Sequence, residues 1–149
     1  MKNFHSLTIK EVVRETPKSV SIVFNVPEDL KPTFKFTAGQ YITIKKEIDG
    51  EELRRSYSIC STPNSGELKV SVKEVADGRF SSYANNELKA GDQLEVFLPE
   101  GKFTFIPSAD AGHRTYAAFA AGSGITPVMS IIKTALTEEE HSKFVLVYG

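Results

Sequence analysis

Through its first hundred residues the chain alternates apolar and polar positions with a period of two. In Ser19–Val26 the apolar Val20, Ile22, Phe24 and Val26 are separated by Ser19, Ser21 and Asn25, the pattern of a strand buried on one face. Ile42 and Ile44 repeat it, Asp49-Gly50 supplies a hairpin turn, and Leu53–Cys60 follows. Ser65-Gly66 turns the chain into Leu68–Val75, with Leu68, Val70 and Val72 on one face, and Gly91-Asp92 leads into Leu94, Val96 and Leu98. With Leu7–Val13 this predicts about six short strands, hence a small closed barrel or a sandwich. Ser81 or Ser82 can cap one short helix over Tyr83–Leu88. Phe103 and Phe105, after Pro99-Glu100-Gly101-Lys102, alternate as in a last strand and are assigned to core packing.

The pattern changes after the loop-like run Pro107–Gly112. An unbroken apolar segment, Tyr116–Ala121, reaches the turn Gly122-Ser123-Gly124. Val128, Ile131, Ile132 and Ala135 then recur at helical spacing over Pro127–Leu136. The polar break Thr137–Ser142 leads to a second apolar strand, Phe144–Tyr148. This is a β-α-β unit of the kind that builds parallel sheets. Two parallel strands cannot cover both their faces, so the chain is expected to divide into residues 1–109 and an incomplete second domain, 110–149.

Composition narrows the classes. Eighteen Lys+Arg against 19 Asp+Glu give a net charge of −1, which argues against a nucleic-acid surface built on bulk charge. No stretch approaches the roughly 18 apolar residues of a membrane helix, and the start MKNFHSLTIK has no apolar signal core. A cytoplasmic protein is expected. A single cysteine, Cys60, excludes an intrachain disulfide and any metal site needing several thiolates, and is read as packing. His5, His113 and His141 are scattered and receive no role, and Glu138-Glu139-Glu140 reads as a solvated helix end.

Three motifs carry chemistry. In Arg55-Ser56-Tyr57-Ser58, Arg55 and Tyr57 are two apart and point to one face of a strand. A guanidinium suits a phosphate, and a phenol beside it can lie against a flat heterocycle. Alone, these residues equally describe an exposed basic pair, Arg54 and Arg55, followed by a strand tyrosine. Gly78-Arg79-Phe80-Ser81-Ser82 is a glycine turn opening a helix, where free amides attract anions; by itself it is also an ordinary helix start. Ala121-Gly122-Ser123-Gly124-Ile125-Thr126-Pro127 stands between a buried strand and a helix. There glycines admit a close-lying phosphate, although Pro127 replaces the third glycine of the dinucleotide fingerprint.

In order and spacing the three motifs together resemble the ferredoxin–NADP reductase-like superfamily over essentially the whole chain. The stretches Val72-Lys73-Glu74-Val75, Asp77–Ser82 and Leu88–Asp92 look closest to reductase components of phenylacetyl-CoA oxygenases, with flavohaemoglobin reductase regions similar too. The resemblance implies a six-stranded antiparallel Greek-key β-barrel with one capping helix, followed by the first β-α-β of a nucleotide-binding sheet. It implies an FAD-dependent reductase that passes a hydride from NAD(P)H to FAD. Single electrons then go on to an iron–sulfur partner or an oxygenase in phenylacetate degradation, the 2Fe–2S cluster lying in a domain beyond Gly149 or in a separate protein.

Carried over residue by residue, Arg55 pairs with the FAD pyrophosphate, Ser56 belongs to the same motif, Tyr57 packs on the isoalloxazine or ribityl chain, and Ser58 sits by flavin N5. Ser71, Val72 and Lys73 line the adenine-side groove through backbone groups. Gly78, Arg79, Phe80, Ser81 and Ser82 hold the pyrophosphate from the opposite side. Gly122, Ser123, Gly124 and Thr126 meet NAD(P)H, with Ser123 or Thr126 near the ring; Ser58 and Thr126 are the catalytic candidates. Family members continue past Tyr148-Gly149, so turnover by this chain alone is in question. A non-catalytic flavin-binding module and a cofactor-free interaction barrel are the rival expectations.

Overall fold

The computed structural model describes residues 3–149, so the first two residues of the expected first domain lie outside it. Six strands, β1 (His5–Thr16), β2 (Ser19–Asn25), β3 (Tyr41–Ile48), β4 (Glu51–Ser58), β5 (Leu68–Lys73) and β6 (Gln93–Val96), form one antiparallel sheet in the order β4-β3-β6-β1-β2-β5. The two outer strands close on each other at one point, just past β4. There Ile59 bridges Val70 and the Cys60 N–H donates to the Lys69 carbonyl at 2.9 Å. The predicted six-stranded barrel is therefore present, shut at one end of β4 and open along the rest of it. Alternate side chains from every strand fill it: Leu7, Ile9, Ile22, Ile42, Ile44, Leu53, Val70, Val72, Leu94 and Val96 are all buried.

The capping helix starts earlier than the serines suggest. α1 runs Arg79–Asn86 with Gly78 as its N-cap, and neither Ser81 nor Ser82 caps it. Ser81 lies inside the first turn instead, where its hydroxyl accepts the Val75 N–H at 3.1 Å and donates to the Gly78 carbonyl at 3.2 Å. The helix is closed by Tyr83, whose carbonyl takes the N–H groups of Glu87 and Leu88. Phe80 and Ala84 point from α1 into the barrel core. The predicted strand through Phe103 and Phe105 does not form. Gly101, at φ +122°, turns the chain, only Phe105 makes a bridge, to Ala38, and Phe103 is 63% exposed.

Beyond the barrel, β7 (Arg114–Ala120), α2 (Ile125–Glu138) and β8 (Ser142–Tyr148) form the predicted β-α-β unit, with β7 and β8 parallel in the register Arg114↔Ser142 to Ala120↔Tyr148. α2 buries Val128, Ile131, Ile132 and Ala135, while Phe119, Val145 and Val147 stay exposed. No described helix is long and apolar enough to cross a membrane.

The unit is fastened to the barrel by a few specific contacts. The buried Ser130 hydroxyl donates to the Ser61 carbonyl at 2.7 Å, Asn64 donates to Glu138 at 2.7 Å, and the Phe105 and Tyr116 rings meet edge to face at 5.4 Å. Glu139, expected in solvent, is 3% exposed. Its carboxylate accepts the Tyr116 hydroxyl at 2.5 Å and the Ser108 N–H at 3.0 Å, so it ties the segment before β7 to β7 and to the end of α2. These bonds, Tyr116 first, hold its pKa below the usual carboxylate value. A lowered folded-state pKa contributes stability above the unfolded value, and that contribution is lost as pH falls through the folded one. Acid should therefore loosen this joint before the barrel. Thermal unfolding followed from neutral to acid pH should show Glu139→Gln losing less stability than wild type over the carboxylate range; parallel curves would remove Glu139 from the account.

Candidate functional site

β4 alternates between two surfaces. Leu53, Arg55 and Tyr57 share one face, opposite Lys46, Ile44 and Ile42 of β3. Because Leu53, Ile42 and Ile44 are buried, this is the inner face of the barrel. The strand has no β5 partner until Ile59, so Arg55 emerges into solvent at the gap and Tyr57 is left half-buried beside it. Ser56 faces the other way, its hydroxyl 3.0 Å from that of Thr43 on the outer wall. Ser58 ends the strand opposite Tyr41.

α1 stands against the gap. The Phe80 ring is 5.8 Å from Tyr57 and 6.2 Å from Tyr83, and Lys46 Nζ lies 5.3 Å over the Tyr83 ring. Arg79 reaches the start of β4, pairing with Glu51, donating to the Ile48 carbonyl at 2.6 Å and lying 3.8 Å from Asp49. The first turn of α1 thus touches β4 at Glu51 and at Tyr57, on both sides of Arg55. The Arg55 guanidinium donates to the Arg54 carbonyl at 2.9 Å and to no other described group. Most of its five donors remain available.

The side chains of the α1 turn are already committed. Arg79 is on the β3–β4 hairpin, Phe80 is in the core, Ser81 holds the turn, and Ser82 donates to Glu74 at 3.2 Å. What the turn still offers is backbone. The first helical bond runs from the Ser82 N–H to Gly78, so the amides of Arg79, Phe80 and Ser81 have no helical partner. Gly78 is required sterically, since a Cβ there would stand 2.4 Å from both Ser81 Oγ and Val75 Cγ2.

On β5, the Ser71 hydroxyl meets that of Ser21 at 3.0 Å, Val72 is buried with its carbonyl accepting Asn85 at 3.1 Å, and Lys73 is exposed. The groove between the hairpin and the β5–α1 turn is lined by Lys18, Asp49, Glu74, Asp77, Arg79 and Glu87 among others. Four carboxylates against two cations make it a poor seat for a phosphate. Cys60 is buried, its thiol donating to the Lys69 carbonyl at 3.4 Å, and burial pushes its pKa up.

Burial also pushes the Tyr57 phenol up to about 12, against a smaller downward pull from Arg55. The ring therefore stays neutral well above the usual tyrosine range. An ultraviolet titration should show a tyrosine ionising near pH 12 that disappears in Tyr57→Phe. If every tyrosine titrates in the ordinary range near 10, the ring is more open than described.

The second cluster is the turn after β7. Gly122, Ser123 and Gly124 are exposed, Gly122 is at φ +55°, and its carbonyl accepts the Tyr148 hydroxyl at 3.3 Å. Thr126 donates to the Ser123 carbonyl at 2.8 Å. α2 begins at Ile125, two residues before the predicted Pro127 start, with the proline in its first turn. Its anchor, Ser130 on Ser61, is three residues past Ser58, and Thr126 is one turn (about 6 Å) upstream of that anchor. Two contributors to this arrangement, the Arg79 clamp and the Glu139 joint, carry no local sequence signal. Each reads as an ordinary surface charge until its distant partners are known.

The family described as oxidoreductase FAD-binding domain matches residues 6–105. The chain is 48% identical over 149 residues to one component of the 1,2-phenylacetyl-CoA epoxidase of Escherichia coli (strain K12), all of this chain and 42% of that protein. It is 42% identical over 145 residues to the ferredoxin reductase component of 3-ketosteroid-9-alpha-monooxygenase from Rhodococcus rhodochrous, 96% of this chain and 40% of that protein. Phthalate dioxygenase reductase, whose structure is described as modular for electron transfer from pyridine nucleotides to 2Fe–2S, superposes with a TM-score of 0.77 at 27% identity, covering 98% of this chain and 43% of that one. The chain thus spans about two-fifths of the length of these relatives.

Proposed function

Because the chain belongs to the oxidoreductase FAD-binding domain family, we propose that it serves in an FAD-dependent electron-transfer reductase that takes a hydride from NAD(P)H and passes electrons to an iron–sulfur domain or an oxygenase. The observation that carries this reading is the gap at β4. A guanidinium with uncommitted donors and a neutral aromatic ring project from one face, opposite the unbonded amides that open α1.

These residues fit the FAD pyrophosphate and ring. Arg55 supplies charge-assisted hydrogen bonds from one side, and the amides of Arg79 and Phe80, at the positive end of a helix dipole, supply neutral donors from the other. Gly78 keeps that turn tight. Tyr57 offers a ring that Phe80 braces from behind, and its raised pKa keeps a phenolate charge out of the ring site.

When bound, FAD supplies two-electron acceptance from a nicotinamide and one-electron release to the next carrier. The chain's part is binding and orientation. Ser58, at the end of β4, is positioned to hydrogen-bond the ring edge, and Ser71, Val72 and Lys73 flank the adenosine side. Gly122, Ser123, Gly124 and Thr126 present an open turn for NAD(P)H, with Thr126 on the reacting side. That α2 is anchored to the segment following Ser58 supports this pairing of the two catalytic candidates. The joint made by Ser130 and Glu139 then governs how the two units face each other.

The visible absorption spectrum tests the reading directly. The apoprotein titrated with FAD should show saturable changes in the flavin bands, and anaerobic NADH or NADPH should bleach them. FAD uptake without bleaching by either donor would make the chain a flavin-binding module and remove the electron-transfer step. No uptake at all would overturn the proposal and favour a cofactor-free barrel.

A further inference from the structure

We propose that Arg79 is a positioning residue: its side chain holds the β3–β4 hairpin against the start of α1 and offsets the charge of Asp49 and Glu51, without the guanidinium itself binding phosphate. The inference rests on the flavin reading above and concerns how the anion site is kept fit for a dinucleotide.

Both terminal nitrogens of Arg79 are spent on the hairpin, one on the Glu51 carboxylate and the other on the Ile48 carbonyl at 2.6 Å, with Asp49 at 3.8 Å. The hairpin is a tight turn, with Asp49 at φ +52° and Gly50 at φ +78°, which brings Asp49 and Glu51 to the end of the hairpin that Arg79 reaches. A cation in the first turn of a helix opposes the helix dipole. α1 has no acidic residue in that turn to offset it. The sequence tolerates Arg79 because Asp49 and Glu51 come from the hairpin to meet it.

The unbonded amides of α1 attract any anion within reach, and Asp49 and Glu51 are the nearest carboxylates of β4 and its turn. Unpaired, they would stand as negative charges on the approach to the place where a pyrophosphate is expected, four residues (Glu51) and six residues (Asp49) before Arg55 in the chain. Paired with one guanidinium, the two carboxylates leave one net negative charge instead of two, and the hairpin is tied to the helix that supplies the amides. Arg79 therefore differs from Arg55, whose donors are left open. One cation faces the ligand, and the other offsets part of the charge that would repel it.

A charge cycle tests this. FAD dissociation constants are measured by titration for wild type, Arg79→Gln and the triple variant Arg79→Gln/Asp49→Asn/Glu51→Gln, with far-ultraviolet dichroism verifying that each is folded and Arg79→Lys as a milder substitution. Arg79→Gln should weaken FAD about fivefold, the upper range for a solvent-exposed ion pair. The triple variant should return to within about twofold of wild type, since the repelling carboxylates leave with the cation that masked them. Riboflavin, which has no phosphate, should bind all three alike. A triple variant as weak as Arg79→Gln would show that offsetting Asp49 and Glu51 is not what Arg79 contributes and would overturn the inference. So would an Arg79→Gln variant that binds FAD as wild type does, and in that case the flavin reading stands. Wild type that takes up no FAD overturns both.

Discussion

Replacing Arg55 by alanine should weaken FAD binding by about 1.5–3 kcal/mol, the cost of losing hydrogen bonds to a charged group, which is roughly one to two powers of ten in the dissociation constant. The expectation follows from how little the side chain does in the protein alone. It is exposed, it makes one bond to the neighbouring Arg54 carbonyl, and it adds nothing to the core. Folding stability should therefore change by no more than about 0.5 kcal/mol, and the loss should appear in ligand affinity. Arg55→Lys keeps the charge but not the planar fork, so it should recover only part of the affinity. Riboflavin binding should be indifferent to all three side chains. Titration of Arg55→Ala giving a wild-type constant for FAD would remove the pyrophosphate assignment, and with it the feature that distinguishes this barrel edge from an ordinary basic strand.

The contrast between Arg55 and Arg79 marks how far the site was legible in the sequence. Period-two alternation placed Arg55 and Tyr57 on one face, and the register Ile44↔Arg55 and Ile42↔Tyr57 agrees, because strand geometry is local and leaves little choice. Whether that face pointed inward or outward was not local. Leu53 ahead of Arg55 is buried and Arg55 itself is open, a change set by where β5 pairs with the segment after β4. For Arg79, Ser81 and Ser82 the residue types suggested ligand contacts, yet each side chain is taken up by a protein group: Arg79 by Glu51, 28 residues away, and Ser81 and Ser82 by Val75 and Glu74 of the turn before the helix. The helix start shifted for a related reason. Hydroxyl residues are favoured as N-caps, but here Ser81 secures the turn from inside the helix and leaves the cap to Gly78.

The β-α-β unit was legible for a different reason. An apolar strand, a glycine turn, a helical stripe and a second apolar strand carry separate periodicities that no other arrangement satisfies as economically, and β7, α2 and β8 lie within a few residues of their predicted spans. Glu139 was the exception. Between two other glutamates at a helix end it carries every mark of solvent exposure, and only the fold brings Tyr116 and the Ser108 amide around it. Charges that serve as joints between units are invisible to a local reading, since the groups that bury them come from elsewhere in the chain.

The largest stability loss should come from Phe80→Ala. Phe80 is 1% exposed, sits in the main core cluster and is among its bulkiest side chains. Truncating a buried phenylalanine costs about 3–5 kcal/mol through lost burial and the cavity left behind. α1 has 8 residues, too few to hold a helix without tertiary support. Phe80 and Ala84 supply much of that support, so the cavity should loosen the helix as well as the core. The Tyr57 ring, 5.8 Å away, loses the surface that braces it, and the amides at the start of α1 lose their fixed position. FAD affinity should therefore fall even at temperatures where the variant is still folded, and riboflavin affinity should fall with it because the ring site is damaged. That joint loss separates Phe80→Ala from Arg55→Ala, where only the phosphate-bearing ligand is affected. Phe80→Leu, which refills most of the space, should restore the larger share of both stability and affinity. Urea unfolding and the two titrations make the comparison. A Phe80→Ala protein that unfolds like wild type, or that loses stability while binding both ligands normally, would show that α1 does not shape the ring site from behind.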